Sequence, residues 1–101
     1  MPLVGKILGY NIFFSSREGY PLEPIHVHVD KKPSSNSPKF WLMKDGSIKI
    51  ARKGFLKDKE LVIIIKCLKV QYAQILDAWK KHFSLDKVKF YEESQTKSNS
   101  R

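Results

Sequence analysis

From residue 58 onward the apolar residues fall into one helical stripe. Leu61, Ile65, Leu68, Tyr72, Ile75, Trp79 and Phe83 step by four, three, four, three, four and four. An α-helix turns once every ~3.6 residues, so these side chains share a face. Ile64 and Leu76 thicken the stripe, and neither proline nor glycine interrupts it. The spacing predicts one long helix over about 58–83, with Asp58 as its N-cap. At ~1.5 Å per residue such a helix is roughly 39 Å long and overruns most small sheets. Its end must project, bend or dock on a partner. The run LVIII at 61–65 also leaves Val62 and Ile63 off the stripe. They meet another layer or another subunit, unless the helix is buried on two sides.

The first half has a different period. LVGKIL and YNIFFSS flank Gly9, a residue able to take the positive φ of a tight hairpin. Tyr10, Ile12 and Phe14 share one face, and Phe13 points the other way. REGYPLEP at 17–24 reads as a loop. In IHVHVD, Ile25, Val27 and Val29 alternate with His26 and His28. KKPSSNSP at 31–38 is a polar turn region. KFWLM and SIKIAR flank Asp45-Gly46, a strong turn signal, with Ile48 and Ile50 expected inward. The expected fold is α+β: a small antiparallel sheet of four to five strands packed against one long C-terminal helix. A single domain would cover 1–84. Residues 85–101 would be a largely flexible C-terminal extension, with KVKFY as a short strand or turn.

Composition bounds the function. A chain of 101 residues with 42% hydrophobic side chains suits one compact domain and excludes a disordered one. One cysteine, Cys67, excludes an internal disulfide and fits a reducing, cytoplasmic compartment. The N-terminal stretch lacks a signal peptide's apolar core, and no apolar run is long enough for a membrane span. Net charge is +9. Residues 1–56 carry nine basic and four acidic side chains. That field suits nucleic acid, an acidic protein or an anionic surface, although a lysine-rich surface also serves solubility alone.

Three chemistries compete for the face that holds His26 and His28. Two histidines at i and i+2 on a strand can reach one metal ion, but a closed site needs Glu23, Asp30 or His82 as well. The expectation is no metal and no cofactor. A small ribonuclease would use His26 or His28 as acid and base, with Glu23 or Tyr10 assisting. Lys39 or Arg52 would then stabilise the developing phosphorane charge. Binding asks for less. Trp41 offers a stacking surface, and Lys39, Lys49, Arg52 and Lys53 offer phosphate contacts. The plain structural alternatives are a hydrogen-bonded histidine pair, and Trp41 packed in the core.

The order of motifs resembles a family of small bacterial and archaeal proteins, the domain of unknown function numbered 4160. The matching pieces are Gly9-Tyr10, Phe13-Phe14-Ser15, Glu23-Pro24, His26-Val27-His28-Val29, Lys39-Phe40-Trp41-Leu42, Gly54-Phe55, Lys59-Glu60-Leu61, Trp79 and Phe83. The resemblance implies an α+β domain, and a gene often placed beside that of a second small protein, as in toxin–antitoxin modules. It implies no chemistry. The segment 31–38 is longer than the family's usual form, and the tail after 84 is extra. The resulting expectation is a small basic binding protein whose partner is a small cognate protein encoded nearby, RNA or DNA, or both, with no membrane contact. A ribonuclease using His26 and His28, and a homodimer paired through Val62 and Ile63 or a sheet edge, are the alternatives.

Overall fold

The computed structural model describes residues 3–14 and 23–92. Most of the loop expected at 17–24, and the tail from 93 onward expected to be flexible, lie outside the described residues. Among the described residues five strands come first: β1 (Leu3–Ile7), β2 (Tyr10–Phe13), β3 (His26–Asp30), β4 (Lys39–Leu42) and β5 (Ile48–Arg52). Two helices follow, α1 (Asp58–Val70) and α2 (Tyr72–Phe83). The strands form one antiparallel sheet in the order β1-β2-β3-β4-β5. This is the meander that the turn signals predict.

The turns explain the connections. Leu8 and Gly9 both take positive φ, 54° and 81°, so a two-residue loop joins Ile7 to Tyr10 with the twist that flanking strands require. Between β4 and β5, Gly46 has φ 90°, and its N–H donates to the Met43 carbonyl at 3.0 Å. The Asp45 carboxylate accepts from the Ser47 N–H at 2.9 Å and from its hydroxyl at 2.6 Å. Gly54 has φ 59° and runs against the β3–β4 loop. A Cβ there would stand 2.9 Å from Pro38 Cγ and 3.1 Å from the Asn36 carbonyl oxygen.

Cross-strand registry sorts side chains onto two faces. Ile12, Val29, Val27, Phe40 and Leu42 meet the helices and are fully buried. From the helices come Leu61, Ile64, Leu68, Ile75 and Trp79. Burying each aliphatic side chain contributes roughly 1.5–3 kcal/mol, so this layer holds most of the stability. Ile50 departs from its expected inward place and is 41% exposed. It sits on β5, the edge strand of the sheet among the described residues. Cys67 is half-buried against the core.

The expected single helix is two. Gln71 separates them, with φ −90° and ψ 6° in place of helical ψ. Helical hydrogen bonding spans the break, since Gln71 N–H donates to Cys67 and Ile75 N–H to Gln71. The stripe therefore keeps its phase through a bend. Strands of five residues are only about 16 Å long, so a straight helix of roughly 39 Å would leave its end uncovered. The bend keeps both halves on the sheet. Tyr72 secures it by donating its hydroxyl to the Met43 carbonyl at 2.5 Å. The N-cap is Lys57 rather than Asp58; its N–H donates to the Glu60 carboxylate at 2.9 Å. Asp58 opens the helix and pairs with Lys53 at 2.9 Å. Ser84, in the left-handed region at φ 54°, ends α2.

The chain then turns back onto the sheet. Leu85, Val88 and Phe90 pack against the core, and the Lys89 carbonyl accepts from the Ile25 N–H at 2.9 Å. No helix among the described residues is long and apolar enough to cross a membrane.

Candidate functional site

The sheet face away from the helix core carries a different set of side chains. Registry lines up Phe13 with His28, His28 with Lys39, and Lys39 with Arg52, one row across four strands. A second row pairs His26 with Trp41 and Trp41 with Lys49. Lys39, Trp41 and Lys49 thus share a face as alternation predicts, whereas Arg52, which alternation would place with Ile48 and Ile50, joins them through a register irregularity between Lys39 and Phe40. Lys53 does not join them, because it follows the end of β5 and turns toward Asp58.

The two histidines are not equivalent. His26 is buried, with ring centres 5.4 Å from Trp79 and 5.6 Å from Trp41. Its Nδ1 lies 2.9 Å from the Pro24 carbonyl. The proline of the Glu-Pro-x-His motif therefore orients the ring. His28 is half-buried, stacked on Phe13 at 5.5 Å and edge-on to His26 at 5.0 Å. Its Nδ1 is buried without a hydrogen-bond partner among the described residues. Burial, then the neighbouring His26, Lys39 and Arg52, pull its pKa down from 6.5 to about 4; Glu23 opposes this weakly. His28 is thus a neutral ring at neutral pH. A ring held neutral carries no spare proton charge at neutral pH, which weighs against His28 as the general acid of a nuclease.

Lys39 bridges to Glu23 at 2.6 Å, and its ammonium lies 4.4 Å from the Trp41 ring centre. Burial would raise the Glu23 pKa, but the hydrogen bond and charge of Lys39, with His26 and His28, leave it lowered. Arg52 donates to the Ser37 carbonyl at 2.9 Å, and the Ser37 hydroxyl donates to Asp30 at 2.7 Å. The metal candidates stay apart in function. Asp30 serves Ser37 and the Lys31 N–H, Glu23 serves Lys39, and His82 lies against Phe83. Among the described residues no group of three such side chains could hold an ion.

Three contributors escaped the sequence reading. Tyr91 lies parallel on Trp41, with ring centres 4.9 Å apart and planes 6° apart. Beside it runs a groove of about 640 Å³ lined by Pro24, Lys44, Val88, Lys89, Phe90, Tyr91 and Glu92. Lys44 and Lys89 bring two cations to that groove, and Glu92 brings one carboxylate. The signal was present in KVKFY, where Val88 and Phe90 alternate with Lys87, Lys89 and Tyr91. A strand-like alternation this close to the terminus resembles a tail until its inward residues find a core.

The family described as "Domain of unknown function (DUF4160)" matches residues 9–80. The chain belongs to this family. The match takes in the histidine pair, the Lys-Phe-Trp-Leu strand, all of α1 and most of α2, and it stops before Phe83, Lys89 and Tyr91. In this DUF4160 protein the stack on Trp41 is therefore completed by a residue beyond the matched region. No curated protein and no solved structure matches the chain.

Proposed function

We propose that this DUF4160 domain binds single-stranded nucleic acid along the Trp41–Tyr91 stack, as one member of a two-component, toxin–antitoxin-like pair in the bacterial cytoplasm. The observation that carries the reading is the parallel Trp41–Tyr91 stack beside a groove lined by Lys44 and Lys89. Aromatic rings accept any base, and adjacent ammonium groups neutralise phosphates. Lys39, Lys49 and Arg52 lie in the rows next to the stack and extend the positive field. A neutral His28 adds a flat ring without charge.

The test is fluorescence anisotropy of labelled single-stranded RNA across a salt series, with a denaturing gel of the same samples. Affinity should fall steeply as salt rises. Neutralising Lys44 or Lys89 should lower the salt slope by about one each, and Tyr91→Ala should cost roughly 1–3 kcal/mol. Binding that ignores salt overturns the proposal. Cleaved RNA, with cleavage lost in His28→Ala, would replace binding by catalysis.

A further inference from the structure

The outward side of α1 has a composition of its own. Its exposed residues are Asp58, Lys59, Val62, Ile63, Lys66, Lys69 and Val70. Asp58 is taken by Lys53. Every other exposed position is therefore lysine or a branched aliphatic. Helical spacing gathers these six onto about one third of the helix circumference, opposite Leu61, Ile64 and Leu68. Val62, Ile63 and Val70 are 53%, 43% and 87% exposed. Phe55, 51% exposed, continues the patch at the start of the helix. Its ring lies 5.4 Å from Tyr10, and the Tyr10 hydroxyl donates to Glu60 in the first turn.

We infer that this face docks an amphipathic helix of a partner protein, one that carries apolar side chains flanked by carboxylates. Charge complementarity selects the occupant. A second copy laid on this face would oppose three lysines to three lysines, and like charges across a close contact are unfavourable. Nucleic acid would satisfy the lysines but leave the branched side chains against phosphate, and the exposed ring beside the helix, Phe55, lies against Tyr10 at its start. An acidic amphipathic helix satisfies both sets: its carboxylates meet Lys59, Lys66 and Lys69, and its apolar stripe covers Val62, Ile63 and Val70. The face lies on α1, whereas the Trp41–Tyr91 stack lies on the open side of the sheet. The two proposals therefore stand or fall separately.

The probe is a labelled synthetic peptide helix with leucines on one face and glutamates beside them, titrated with the full chain. A control peptide replaces each glutamate by lysine. The glutamate peptide should bind and the lysine peptide should not. Ile63→Ser with Val70→Ser, and separately Lys66→Glu, should each weaken binding about tenfold or more. Both sites are exposed, so circular dichroism should be unchanged, and RNA affinity should persist in the serine variant. Amide shifts on adding peptide should map to α1. Failure of the glutamate peptide to bind, equal binding by the variants, or shifts on β4 instead would overturn the inference. So would self-association abolished by Ile63→Ser, or protection of α1 by anionic vesicles alone.

Discussion

On one face of the sheet Ile12, Val27, Val29, Phe40 and Leu42 are covered by two helices. On the other, Phe13 and His26 are buried and His28 is half-buried, beside half-buried Lys39 and Trp41 and an exposed Arg52. The same strands therefore hold an aliphatic layer and a layer of rings and charges. The aliphatic layer needs only volume and hydrophobicity. The ring layer needs particular partners: a carbonyl for His26, a carboxylate for Lys39 and a parallel ring for Trp41. Removing polar groups from water costs stability unless those partners are met, so the second face is held for what it presents.

Trp79 joins the two layers and gives the largest expected effect. Its ring meets Phe14 edge-on at 5.1 Å and His26 at 5.4 Å. Trp79→Ala should lose about 3–5 kcal/mol in urea denaturation. It should also disturb amide signals on both faces. A loss confined to the aliphatic side would mean that the two layers are independent. Gly54→Ala comes next. The added Cβ meets Pro38 at 2.9 Å while φ stays at 59°, so a loss of about 2–3 kcal/mol is expected. If denaturation midpoints do not move, the β5–α1 junction is loose and does not tie the helices to the ring face.

The sequence made the aliphatic face legible because burial on one side imposes a period. Alternation located all five strands, and the four-three stripe located the helical face through Phe83. The bend at Gln71 left no mark. Its backbone departs from helical ψ without proline or glycine, and the side chain that fixes it, Tyr72, is already counted as part of the stripe. The ring face was legible as a set of residues, and registry brought Lys39, Trp41, Lys49 and Arg52 together. Its environment was not. That His26 is buried follows from Trp79 reaching it from α2, and that Trp41 is stacked follows from Tyr91 returning after α2. Both are contacts between distant segments, which local period does not encode.

The ring face should announce itself in acid. His28 titrates near 6.5 when unfolded and at about 4 when folded. Between those values the unfolded chain binds a proton that the native chain refuses. Stability therefore falls as pH drops from about 6.5 to about 4, and His28 contributes nothing above that window. With solvent screening at a half-buried ring, the loss is about 1–2 kcal/mol. Urea midpoints across this range should show the slope, and His28→Gln should flatten it. An unchanged slope in that variant would place His28 in water and dissolve the contrast between the faces.

The smallest effect tests why the helix bends. Tyr72→Phe removes one hydroxyl and the hydrogen bond it donates to the Met43 carbonyl, while the ring keeps its place in the stripe. Met43 also closes the β4–β5 hairpin, since its N–H donates to Ser47 and its carbonyl accepts from Gly46. The substitution therefore leaves that carbonyl with one donor in place of two and should cost about 1 kcal/mol. If the hydroxyl holds the bend, amide exchange should quicken at residues 71–75 and in the 43–47 turn together. If the bend instead follows from the short sheet, only the turn should respond. Exchange confined to residues 43–47 would then assign the bend to packing on the aliphatic face, the layer whose needs are volume and reach.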